Sequence, residues 1–164
     1  MPLSSNFAST GCDSRGSTTK DFEELFACLT RRSVKALVVG GYAVAFHGQP
    51  RFTKDIDVFI EPSPDNAERL VAALVDFGFG GLGLTPADFT VPGRIVQLGV
   101  APNRVDLLTA IDGVTFEEAW RHRVRGPFGS QTVDYIGLAD LIQNKQASAR
   151  PQDLLDVVDL EAQD

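Results

Sequence analysis

Asp55-Ile56-Asp57-Val58 alternates acidic and apolar residues. On a strand, residues two apart share a face with Cα atoms roughly 6.6 Å apart, so both carboxylates point one way while Ile56 and Val58 point into a core. Two bare carboxylates side by side repel each other, and one of them would normally take up a proton. A divalent cation removes that conflict, and hard oxygen ligands on a rigid strand suit Mg²⁺ or Mn²⁺. An exposed strand face carrying ordinary solubilising acids has the same pattern. The pair alone leaves both readings open.

Arg104-Val105-Asp106-Leu107-Leu108 places a third acid between apolar residues on an expected central strand. A buried carboxylate without a partner is costly, so Asp106 needs a cation or hydrogen-bond donors nearby. A strand beside that of Asp55 would bring three carboxylates together. Two-metal phosphoryl transfer needs such a set, with metals ~3.5–4 Å apart that bind the attacking and leaving oxygens. A salt bridge to Arg104 or Arg94 is the structural alternative. The third piece is Val38-Val39-Gly40-Gly41-Tyr42, where a strand enters a helix through two glycines. Backbone N–H groups can approach an anion there, helped by the helix dipole, although a glycine pair also marks a plain tight turn. Thirteen residues, 42 to 54, separate Gly41 from Asp55.

Elements that could position these residues are legible along the chain. Phe22, Leu25, Phe26 and Leu29 recur at helical spacing behind Thr19 as cap, with Asp21, Glu23 and Glu24 in the first turn. Residues 1–18, rich in Ser, Thr and Gly, read as a flexible tail ahead of a single domain over 19–164. Strands are expected at 36–39, 55–61, 94–100, 104–109, 124–128 and 132–135, and Ala101-Pro102-Asn103 signals a hairpin. Helices are expected at 42–47, 65–77, from Thr115 with Glu118 at capping-box spacing, at 138–149, and from Pro151 to Glu161. The order gives an α/β (α+β) domain with a mixed central sheet flanked by helices. The hairpin argues against a doubly wound parallel sheet.

The 164 residues suffice for one domain with a real core. Hydrophobic residues make up 43% and charged residues 23%, and no run approaches the ~20 apolar residues that span a bilayer. No basic start leads into an apolar stretch, and Cys12 and Cys28 offer neither a disulfide framework nor metal-ligand spacing. A cytoplasmic location without membrane association is expected. A net charge of -7 and a pI of about 4.8 disfavour broad nucleic-acid binding. The basic cluster Arg121, His122, Arg123 and Arg125 reads as a solvated helix end.

Val39-Gly40-Gly41, thirteen residues, Asp55-Ile56-Asp57-Val58 and a later Val105-Asp106-Leu107 together resemble the signature of the DNA polymerase beta-like nucleotidyltransferase superfamily. The branch it looks most like is the small bacterial group of abortive-infection toxins and their relatives. Arg51-Phe52-Thr53-Lys54-Asp55 is similar to that branch, as is Lys145 through Asp156 with Arg150, Asp153 and Asp156. The resemblance covers roughly residues 35 to 160. It implies Mg²⁺-dependent (or Mn²⁺-dependent) transfer of a nucleoside monophosphate from a nucleoside triphosphate, with release of pyrophosphate. By that resemblance Gly40 and Gly41 hold the triphosphate, and Asp55, Asp57 and Asp106 ligate the metals. Asp106 also takes the proton of the attacking hydroxyl, while Thr53 and Lys145 steady the phosphates. Lys145 also reads as a surface helix lysine, and Asp153 and Asp156 as acids on a solvated helix face.

Many members of the superfamily carry a second, helical domain that grips the acceptor, whereas 58 residues follow Asp106 here. The acceptor site is therefore expected from another copy of the chain or a partner protein. The acceptor itself, whether RNA, a protein hydroxyl or a small molecule, is not written in the sequence. Two other readings stay open: a non-catalytic nucleotide-binding module of the same fold, and a toxin–antitoxin component that binds a partner.

Overall fold

A computed structural model describes residues 14–48, 50, 53–100 and 103–162. Its elements in chain order are α1 (Ser14–Arg31), β1 (Ala36–Val39), α2 (Gly40–His47), β2 (Ile56–Ile60), α3 (Pro64–Phe77), β3 (Ile95–Leu98), β4 (Val105–Leu108), α4 (Phe116–Arg121), β5 (Val124–Phe128), β6 (Gln131–Tyr135), α5 (Leu138–Ser148) and α6 (Pro151–Glu161). Two short 3₁₀ turns, Gly80–Leu82 and Pro86–Phe89, connect α3 to β3. The first helix begins at Ser14, so Thr19 lies inside it rather than capping it. Ser and Thr cost a helix interior only a few tenths of a kcal/mol, which the packing of Phe22, Leu25 and Leu29 overrides. The rest of the expected tail, residues 1–13, lies outside the described residues, as do Arg51, Phe52 and the turn residues Ala101 and Pro102.

Six strands form one mixed sheet in the order β3-β4-β2-β1-β6-β5. β3 with β4 and β5 with β6 are antiparallel hairpins, and β1 is antiparallel to β2. β2 runs parallel to β4, and β1 parallel to β6. This is the mixed, helix-flanked α/β architecture expected from the element order. The core is one cluster, drawing on Phe22 and Leu25 of α1, Leu37 of β1, Ile56 and Ile60 of β2, Leu70 and Leu74 of α3, Leu107 of β4 and Leu141 of α5. Asn66 is fully buried in the first turn of α3 and accounts for otherwise orphaned backbone groups around it. Its side chain accepts from Lys35 N–H (2.8 Å) and donates to the carbonyls of Lys35 (3.1 Å) and Glu61 (3.0 Å), tying the start of β1 to the end of β2.

Helix ends follow their sequence signals. Ser63 caps α3 by accepting from Asn66 N–H, and Gly78 ends it in the left-handed region at φ 114°. Thr115 caps α4 by accepting from Glu118 N–H at 3.2 Å. The basic cluster after α4 is tied down rather than only solvated. Arg123 stacks over the Trp120 ring at 3.9 Å and pairs with Asp134, as does Arg125, while His122 contacts Asp140 at 2.9 Å. Among the described residues no helix is long and apolar enough to cross a membrane.

Candidate functional site

Register decides which acids meet. Asp57 sits directly between Val39 of β1 and Asp106 of β4, so the floor of the site spans three neighbouring strands. Asp55 stands one residue ahead of β2, where Ile56 N–H donates to the Arg104 carbonyl at 3.1 Å. Val39 ends β1 in extended geometry, and Gly40 turns the chain into α2 at φ 65°, a conformation that favours glycine. A Cβ on Gly40 would fall on the Asp57 carboxylate, so the second reason for glycine is contact with the acid itself. No side chain caps α2, whose first turn starts at Gly40 against the Asp57 carboxylate.

These residues line one open cleft of about 720 Å³. Gly40, Gly41, Thr53, Asp55, Asp57, Asp106 and Lys145 all border it, so every candidate site residue of the sequence lies at the same place. Their partners are less uniform. Thr53 turns inward, donating from Oγ1 to the Asp55 carbonyl at 3.2 Å. Arg104 donates from Nη2 to Asp55 Oδ2 at 2.7 Å and brings Nε within 3.3 Å of Asp106 Oδ1. The alternative sequence reading of Asp106, a salt bridge to Arg104, therefore exists beside the carboxylate cluster. The signal for it was the spacing Arg104-Val105-Asp106, which puts guanidinium and carboxylate on one strand face.

Asp57 and Asp106 face each other across β2 and β4. Burial first, then the Asp106 charge and a hydrogen bond to Asp106, then the Asp55 charge, push the Asp57 carboxyl up to about 6, against the opposing pull of Lys145. Burial also raises Asp106, partly offset by Arg104. Two buried carboxylates this close resist ionising together, so Asp57 keeps its proton to higher pH than an ordinary carboxyl.

The helical side of the cleft corrects two sequence readings. Asp153 and Asp156 do not lie on a solvated face: they are 2% and 1% exposed. Lys145, also buried, reaches Asp153 Oδ1 at 3.1 Å and Asp156 Oδ2 at 3.2 Å, and so is no surface lysine either. Arg150 adds a charge-assisted bond of 2.7 Å from Nε to Asp153 Oδ2. Burial would raise the Asp153 carboxyl, but the bonds from Arg150 and Lys145 outweigh it and hold it below the usual range. Lys145 thus locks α5 to α6 as well as bordering the cleft. The sequence reading also passed over Asp112, Asn144 and Ser148, which form a polar rim. Asn144 donates to the Asp112 carbonyl (2.9 Å) and Ser148 to Asp112 Oδ2 (3.1 Å).

Among the described residues, no three His, Cys, Asp or Glu side chains stand in a ready-made arrangement for a metal ion. Asp55 is turned toward Arg104, and Asp57 and Asp106 toward each other. The donor chemistry nevertheless fits a hard cation: Asp55 Oδ1 is buried without a hydrogen-bond partner among the described residues, and the buried Asp106 Oδ1 meets Arg104 Nε at 3.3 Å.

A search among curated proteins gives no match. A family model does match, over residues 18–162, a span that takes in all six strands and every cleft residue named above. It describes a nucleotidyl transferase of unknown function (DUF2204), and the chain belongs to that family.

Proposed function

We propose that this nucleotidyltransferase is a metal-dependent enzyme that moves a nucleoside monophosphate from a nucleoside triphosphate to an acceptor hydroxyl. The observation that carries the reading is the paired placement of Asp57 and Asp106 in register on the cleft floor, with Gly40 pressed against Asp57. The N–H groups of Gly40 and Gly41, at the uncapped start of α2, suit the triphosphate. Asp55, Asp57 and Asp106 would hold Mg²⁺ or Mn²⁺, with Arg104 released from Asp55. Bound there, the metal would supply Lewis-acid stabilisation of charge building on the phosphoryl oxygens.

The remaining chemistry belongs to the chain. Asp106, whose ionised form the Arg104 charge favours, takes the proton of the acceptor hydroxyl. The acceptor oxygen forms its bond to the α-phosphorus as the bond to the β-phosphate oxygen breaks, and pyrophosphate leaves with that electron pair. Arg150 stands largely exposed beside Asp153 at the cleft mouth, where its charge meets the departing phosphates. The resemblance of the stretch Arg51-Phe52-Thr53-Lys54-Asp55, and of Lys145 through Asp156, supports a place near abortive-infection toxins. The test is transfer of labelled nucleotide, with all four nucleoside triphosphates and Mg²⁺ or Mn²⁺. Wild-type protein should release pyrophosphate, and Asp106→Asn should lose orders of magnitude in rate without loss of stability.

One observation favours a second reading. Arg104 already neutralises Asp55 and Asp106, the part a metal would play, as in a nucleotide-binding module that has given up catalysis. Nucleotide binding that is indifferent to Mg²⁺, without pyrophosphate release, would select that reading.

A further inference from the structure

The sheet has two edges, and they are built differently. β5 carries Arg125 and Pro127, both of which discourage pairing with another strand. β3, Ile95-Val96-Gln97-Leu98, carries neither charge nor proline, and among the described residues no strand covers its outer side. Ile95 is 63% exposed and Gln97 is also exposed.

The phase of the β3–β4 ladder shows which backbone groups are open. Thr109 N–H donates to the Arg94 carbonyl at 3.0 Å. Antiparallel ladders alternate, so Val96–Leu107 and Leu98–Val105 are the hydrogen-bonded pairs that follow. The N–H and C=O groups of Ile95 and Gln97 therefore face away from β4, toward the free edge. The side chains of these same two residues line the cleft, with Gln97 directly opposite Asp106. Open backbone and reactive cleft belong to the same two residues.

Resting on the reading given under Proposed function, we propose that the acceptor is an extended polypeptide. It adds as a strand to the β3 edge and presents a tyrosine hydroxyl to Asp106 from the position opposite Gln97. Directly opposite residues share a face, so that side chain points into the cleft. Strands lie about 4.8 Å apart, which puts the added backbone about 10 Å from that of Asp106. A tyrosine ring spans the intervening strand and meets the carboxylate reaching from the other side, whereas a serine or threonine hydroxyl stops short. Ile95, Leu108 and Ile111 give the ring an apolar wall. The uncharged edge and the net charge of -7 suit a neutral peptide backbone and repel a nucleic acid. In the transfer the tyrosine oxygen bonds to the α-phosphorus, its proton passes to Asp106, and pyrophosphate leaves with the electrons of the broken bond.

The probe is a pool of short extended peptides with a fixed central tyrosine, and matching pools with serine or phenylalanine, given labelled nucleoside triphosphate and Mg²⁺. Labelling is expected on the tyrosine oxygen by mass spectrometry, with little on serine and none on phenylalanine. N-methylation of the peptide amides that face Ile95 and Gln97 should reduce labelling by about tenfold or more, the loss of one or two backbone hydrogen bonds. Methylation of the intervening amides should not. A second readout is independent of turnover: hydrogen exchange at the Ile95 and Gln97 amides should slow when the tyrosine pool is added to the Asp57→Asn protein. Protection without labelling would uphold the docking and defeat the transferase reading. Transfer to RNA or a small molecule but not to peptide would overturn the acceptor assignment and leave the transferase reading intact. Serine labelled as well as tyrosine, indifference to N-methylation, or no protection would each overturn the proposal. So would edge protection that grows with protein concentration in the absence of peptide, which would assign the edge to a second copy of the chain.

Discussion

Replacing Asp57 with Asn tests the electrostatics of the cleft floor without changing its shape. In the native protein the Asp57 carboxyl is pushed from 3.8 up to about 6, by burial first and by Asp106 second. At about 1.4 kcal/mol per pKa unit, that rise corresponds to about 3 kcal/mol against folding once Asp57 is ionised. The sign follows from the proton count. Between about pH 4 and pH 6 the unfolded chain has released the Asp57 proton while the folded chain keeps it. Stability therefore falls as pH rises through that window, and the full cost is present above it. The amide of the Asp57→Asn protein carries no such cost and still donates to Asp106. The expected outcome is equal stability of the two proteins near pH 3.5 and an advantage for Asp57→Asn approaching 3 kcal/mol at pH 7.5. For a chain of this size that is roughly 6–12 °C in melting temperature. Both proteins are melted in chelator, so that no adventitious cation relieves the repulsion. A difference that is the same at both pH values, or an Asp57→Asn protein less stable at pH 7.5, would refute the account of a raised Asp57 carboxyl.

Three other outcomes follow from the same geometry. Gly40→Ala should destabilise the fold by about 1–3 kcal/mol through its left-handed backbone and the Cβ aimed at Asp57, read by chemical denaturation, and should cost nucleotide binding more than the stability loss explains. Lys145→Met removes the ammonium between the buried Asp153 and Asp156, leaving Arg150 on Asp153 and Gln152 on Asp156, so a loss of about 3–5 kcal/mol is expected; a melt within 1 °C of wild type would show that the triad is dispensable. Mg²⁺ together with the correct nucleoside triphosphate, at a hundred times the dissociation constant, should add about 2.7 kcal/mol to stability, seen as an upward melting shift larger than either ligand gives alone.

What the sequence made legible is what depends on local pattern. Strand parity turned Asp55 and Asp57 toward one cleft, and Gly40-Gly41 marked the turn into α2, because alternation and glycine placement are local consequences of backbone geometry. The later helices and the β3–β4 hairpin were readable for the same reason. Side-chain pairing across the fold was not. Arg104 reaches Asp55 over forty-nine positions, and its neighbour in sequence, Asp106, only discloses that a guanidinium is near. Asp153 and Asp156 look like any acids three apart on a helix, and their burial depends on Lys145 arriving from α5. The open phase of β3 likewise needed the observed bond from Thr109 to Arg94, since four uncharged residues do not reveal which two point outward.

The charge balance of the cleft joins these features. Asp55, Asp57 and Asp106 stand against Arg104 on the sheet, while Asp153 and Asp156 stand against Lys145 and Arg150 on the helices. The helical set is closed, because both of its carboxylates have the buried Lys145 ammonium within 3.2 Å. The sheet set is not closed: it keeps a raised carboxyl on Asp57, and Asp55 Oδ1 is buried without a hydrogen-bond partner among the described residues. Burying such oxygens costs free energy unless a ligand compensates. Both sets were assembled by one fold, so the difference is not a general failure of packing around acids. Within the cleft, residual electrostatic strain sits on the side that holds the glycine turn and borders the open β3 edge, where a cation, a triphosphate and an acceptor could meet.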